Sequence, residues 1–178
     1  MLMNMKSNAP RSRYDRFSRI LHWVLAVGII YASMVGYGLH FISDPKIFSF
    51  FSELNMSLAT VMTLLMIVRF TWRFFRPSVP YGEHIQGNKK GLVILLHEIF
   101  YLIIFVVLIS GFLMLKDGYL FFGLLPVPQP LNNLEVNLFF FNVHRYSCIA
   151  LGLMLLMHVA AVIKHQLFDK KNILSRMV

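Results

Sequence analysis

Four runs of apolar residues decide what this chain can become. They fall at about residues 20–42, 54–75, 92–115 and 143–165. Each is close to the roughly 20 residues that a helix needs to cross the hydrocarbon core of a bilayer. A helix on the surface of a water-soluble domain carries a polar stripe with the period of the helix, and these runs carry none. Inside lipid every backbone N–H and C=O must be satisfied within the protein, which helices achieve and an open sheet does not. The chain's 57% hydrophobic content and mean hydropathy of +0.64 agree. The pattern predicts an all-α membrane protein, a single four-transmembrane-helix bundle over residues 1–178. An arginine-rich stretch precedes the first run and no small-residue cleavage site follows it, so that run is read as a retained span and not a removed leader.

The formal charge of +9 raises nucleic acid as a partner, but its distribution answers otherwise. Lys6, Arg11, Arg13, Arg16 and Arg19 precede the first span. Arg69 and Arg73 stand in the aromatic, basic end of the second, with Arg76, Lys89 and Lys90 between it and the third, and Lys164 closes the fourth ahead of Lys170, Lys171 and Arg176. Those are 14 of the 17 basic residues. The other two connections hold Lys46, Lys116 and Arg145 against Asp44, Glu53, Asp117 and Glu135. Positive charge stays on the cytoplasmic side, so both termini are expected in the cytoplasm of a bacterial inner-membrane, multi-pass protein. The basic residues are read as contacts to membrane lipid, not to nucleic acid. Cys148 is the sole cysteine, so an intrachain disulfide and a cysteine-based metal cluster are excluded.

Ionisable residues inside a span are candidates for function. His22 lies near the cytoplasmic end of the first span, and His97 in the same half of the third. On the fourth, His144 lies near the outer end and His158 near the inner one. Fourteen residues separate that pair by about 21 Å of helical rise and return them to nearly one face. His22 and His158 share a depth on different helices. Two neutral imidazoles facing across a bundle can clamp the iron of a b-type haem. Zinc is the rival metal, but it wants more N, S or O ligands than this level offers. Gly36 and Gly111, each fourteen residues after a histidine, let a flat macrocycle approach the backbone or simply pack helices closely. Glu98, beside His97, is read as a proton relay or a hydrogen bond within the bundle. Trp23 and Trp72 fit an interfacial belt, Cys148 a small packed residue, and His84 a solvated loop. "GLLPVPQPLNN" reads as a proline-rich connection over the outer face.

Beyond these readings, several stretches carry a resemblance. They are "LHW" in the first span, "VRFTWR" closing the second and "LLHEIFYLIIF" opening the third, then the His144/His158 pair and the tail "KHQLFDKKNILSRM". In order and spacing the chain resembles the bacterial cytochrome b561 family of four-helix dihaem membrane proteins. The resemblance implies haem b, one or two per chain, and electron transfer with ubiquinone. One member type oxidises superoxide at the outer face. The resemblance also implies His22 and His158 as axial ligands of the inner haem, His144 as a ligand of the outer one, and His165 near the quinone.

At one position the chain departs from that pattern. The family has a histidine on the second span fourteen residues before the arginine of "VR"; here that arginine is Arg69 and the position is Asn55. An amide is a weak ligand for haem iron. The outer haem is then five-coordinate on His144 alone, or takes His40 as partner, or is absent. The expected function is transfer of electrons between an outer-face donor, superoxide among the candidates, and ubiquinone. For superoxide, the acidic residues of the outer loops offset the field of Lys46, Lys116 and Arg145. A cytochrome b subunit docking to a redox partner, a dehydrogenase or hydrogenase, is the alternative, and a haem-free structural bundle is a third.

Overall fold

The computed structural model describes residues 13–77, 79–80, 87–168 and 174–178. His84, Lys6, Arg11, Lys170, Lys171 and the side chain of Lys89 lie outside the described residues. Four helices are each long and apolar enough to cross a membrane. They are α1 (Arg16–Gly38), α2 (Pro45–Phe75), α3 (Asn88–Leu113) and α4 (Leu134–Ile163).

The helices run beyond the apolar runs that announce them, because polar caps start them early. Asp44 accepts hydrogen bonds from the N–H groups of Lys46 and Ile47, and Pro45 stands at the first helical position, where it needs no donor. Asn133 caps α4 through the Val136 N–H, with Glu135 in the first turn where the helix dipole favours an anion. The α2 start therefore precedes the apolar stretch by two helical turns or more, as does that of α4.

The proline-rich connection folds into a small antiparallel hairpin, β1 (Tyr119–Phe121) with β2 (Leu125–Val127). Its turn places Phe122 at φ 50° and Gly123 at φ 73°, the left-handed region that costs a side-chain-bearing residue. The bound turn offsets that cost: the Phe122 N–H donates to Ser57 Oγ at 2.9 Å, and Tyr119 and Thr60 share a hydroxyl bond of 2.6 Å. Ser57 is fully buried beneath it. The hairpin thus lies against α2 at Ser57 and Thr60 and marks one end of the bundle, the hairpin end.

The opposite end holds both described termini. The Tyr14 N–H donates to the Arg176 carbonyl at 3.2 Å, and the Trp23 indole donates to the Met177 carbonyl at 2.9 Å. Arg19 donates to the Val178 carbonyl, and Arg176 to that of Pro80. Residues 174–178 thereby lie across the start of α1. Asp15 caps α1 through Ser18 and receives the Trp72 indole N–H of α2 at 3.2 Å. Burial pushes the Asp15 carboxyl up, but the bonds from Ser18 and Trp72 outweigh it, and the net result lies below the ordinary value of 3.8.

Between the ends, Leu25, Met62, Met66, Ile104, Leu108 and Leu151 form one buried layer. The outward faces of all four helices are apolar and exposed, as lipid-facing surfaces are. α1 packs along α2 and α3 along α4. α2 touches α3 more sparingly, and α1 and α4 scarcely touch. The fold is therefore two helical hairpins joined mainly through α2 and α3, with a seam between α1 and α4.

Candidate functional site

The histidines divide between the two ends. At the terminus end, His22 of α1 and His158 of α4 stand on the helices that flank the seam, both half-buried. His97 of α3 joins them, and the three imidazoles lie within Coulombic range of one another. Their partners differ. The His22 ring meets Trp23 edge-on, and Arg69 of α2 donates to its Nδ1 at 3.3 Å. The same guanidinium donates to the Ser18 carbonyl at 3.2 Å. The His158 ring meets the edge of Phe100 at 5.5 Å between centroids, and it has no hydrogen-bond partner among the described residues. His97 is exposed and donates from Nδ1 to the Val93 carbonyl of its own helix at 2.6 Å.

Glu98, next in sequence, is tied to Arg73 of α2 by a two-pronged ion pair of 2.7 and 2.8 Å. Arg73 also lies over the rings of Phe70, Phe74 and Tyr101. That cluster fastens α2 to α3 and uses up both charges.

α4 ends in a π turn, Lys164–Phe168, which contains His165. A π turn closes its hydrogen bonds five residues on instead of four, so the step from His158 to His165 is not that of a straight α-helix. His165 is half-buried at the terminus end.

At the hairpin end the geometry is more closed. The His144 ring lies against α3, where a Cβ added at Gly111 would stand 3.0 Å from its Cε1. Its Nδ1 donates to the Val107 carbonyl at 2.9 Å, so Nε2 carries the lone pair and accepts from the Cys148 thiol at 3.4 Å. Gly111 therefore gives its notch to an imidazole, while Gly36 faces open space. Asn55 of α2 has its Oδ1 buried without a donor, a costly arrangement for an amide oxygen. His40 lies in a short 3-10 turn after α1, exposed, with Nδ1 donating to the Gly36 carbonyl at 3.3 Å.

The donor sets at the two ends suit different occupants. Among the described residues no three His, Cys, Asp or Glu side chains gather as a bare metal ion would require. Two imidazoles on separate helices flanking a seam match the axial pair of a haem, so the terminus end fits that group. The hairpin end offers His144, already engaged at both nitrogens, an exposed His40 bonded back to its own helix, and an amide. It does not fit a haem that needs two imidazoles. Sequence reasoning missed Arg69 and the His144–Cys148 bond. A basic residue at this depth was the available signal for Arg69.

Residues 13–178 match the prokaryotic cytochrome b561 family. The chain is also similar to cytochrome b561 homolog 2 of Escherichia coli (strain K12). Identity is 26% over 179 residues, covering 97% of this chain and 94% of that one.

Proposed function

The chain belongs to the prokaryotic cytochrome b561 family, and from that premise we propose that His22 and His158 are the axial ligands of one b-type haem set between α1 and α4. As a member it is a multi-pass bacterial membrane cytochrome that binds b-type haem and carries electrons. The observation that carries the finer reading is the pair of imidazoles on the two helices that scarcely touch. Bound haem supplies one-electron redox chemistry. The residues supply the rest. His22 and His158 hold the group, and the buried layer around Leu25 and Leu151 keeps water from crossing the bundle. His165, a helical turn or two beyond His158, hydrogen-bonds a ubiquinone carbonyl and exchanges its proton. Both termini face the cytoplasm of the inner membrane, which puts the quinone on that side and the electron donor at the hairpin end. His144 is the residue that would hold a second haem at the hairpin end, with His40 the other imidazole near that end.

The test is rapid mixing of the reduced, purified protein with a ubiquinone analogue. The haem should reoxidise, and His165→Ala should slow that step while leaving the spectrum intact. Equal rates remove His165 from the site. A protein purified without haem from haem-replete cells would favour a purely structural bundle. Superoxide is dropped as donor if a superoxide flux leaves the haem oxidised. Reporter fusions within residues 126–133 should report the periplasm, and a cytoplasmic report inverts the assignment of sides.

A further inference from the structure

Arg69 is a half-buried guanidinium within a span, and no carboxylate pairs with it among the described residues. The neighbouring cations are engaged elsewhere: Arg73 with Glu98 at 2.7 Å, and Arg76 over the Tyr14 ring at 4.4 Å. Charge at membrane depth without a counter-ion is costly and marks a place for one.

Arg69's hydrogen bonds give the direction. One is to a backbone carbonyl and the other to His22 Nδ1. Arginine only donates, so Nδ1 holds a lone pair in that bond. Resting on the assignment of His22 as an iron ligand, this bond cannot survive ligation. If Nε2 binds iron, Nδ1 carries the proton. If Nδ1 binds iron, its lone pair is used. Either way the guanidinium loses His22, keeps the Ser18 carbonyl and has a donor left over for a new acceptor. The group that displaces it brings two carboxylates of its own. We propose that Arg69 is the anion-binding residue of the seam: it leaves His22 Nδ1 when the iron is ligated and pairs with a carboxylate of the haem.

Arg69 is thus a positioning residue that selects the acid form of the porphyrin and sets which edge faces α2. A charge-assisted pair of this kind separates the acid from a neutral analogue by on the order of tenfold in affinity.

The experiment uses membranes from haem-deficient cells carrying the full chain, titrated with hemin and with hemin dimethyl ester, and followed by the low-spin Soret band. The wild type should bind hemin about tenfold more tightly than the ester. Arg69→Lys should keep that preference in reduced form. Arg69→Gln should bind both equally, at the affinity that wild type has for the ester. A preference undiminished in Arg69→Gln overturns the proposal. So does equal binding of the two porphyrins by wild type, which assigns the cation to a lipid phosphate; that arm decides the matter even if Arg69→Gln fails to accumulate. Failure of the ligand assignment reads differently: His22→Ala membranes would then give an unaltered low-spin band, whatever the porphyrin preference.

Discussion

His158 and His144 sit on one helix and nearly one face, yet the protein treats them differently. His158 meets a ring edge and has no hydrogen bond among the described residues. His144 has a carbonyl on one nitrogen, a thiol on the other and a glycine notch beneath its ring. The first keeps its ring nitrogens without a hydrogen bond among the described residues, on a helix that flanks the seam. The second is satisfied before any ligand arrives, and binding iron would cost it the Cys148 contact. Identical residue types at matched spacing therefore do not make matched sites. What differs is the facing helix: α1 stands away from His158 and carries His22, while α3 closes on His144 and α2 offers Asn55.

The largest expected effect would break this comparison outright. His22→Ala or His158→Ala should abolish the low-spin haem spectrum, because loss of one axial imidazole opens the iron, while His144→Ala leaves that signal in place. A His158→Ala protein with an unchanged low-spin spectrum removes the terminus-end site. Next comes Asn55→His, which puts an imidazole on α2 where the family pattern has one. It should raise the haem count toward two per chain, or convert a high-spin, carbon-monoxide-binding haem to low spin. If His40→Ala alters the native spectrum and Asn55→His does not, the partner of His144 is His40.

A smaller effect probes the notch. A methyl at Gly111 meets the His144 ring at 3.0 Å, and such overpacking costs about 1–3 kcal/mol. Gly111→Ala should lower the thermal midpoint in detergent and leave the terminus-end haem spectrum unaltered; a shifted low-spin band would show the two ends coupled. The smallest effect lies at Asp15. Its carboxyl sits below 3.8 in the fold, so its contribution is complete above that value and fades as pH falls through the folded pKa. With solvent screening this amounts to about 1 kcal/mol or less. Asp15→Asn should be less stable than wild type at pH 5 to 7, and the gap should close below 3.8. A gap that is constant down to low pH would trace the loss to geometry and not to charge.

The membrane helices and the family were legible because each rests on a local signal, an apolar run or a short motif such as "VRFTWR". Helix starts at Pro45 and Leu134 were legible in principle from Asp44-Pro45 and from Asn133, but the apolar run alone places them too late. The hairpin was masked by its prolines, since Pro126 sits within β2. The contact of Arg69 with His22 spans 47 residues and depends on how α1 meets α2, which no periodicity encodes. Asn55 was singled out by resemblance; only packing shows that its oxygen is buried without a donor. The π turn at His165 has no sequence signal that we recognise.

The strap of residues 174–178 across α1 carries a consequence for biosynthesis. Trp23 waits for the Met177 carbonyl, 154 residues later in the chain. At roughly 5–20 residues per second of translation, α1 exists for about 8–30 s before that partner is made. Through that interval the first span has its apolar surface in lipid but no finished polar closure at its end. Assembly of this end is therefore a late event, set by the ribosome's arrival at residues 174–178 and not by insertion of the first span.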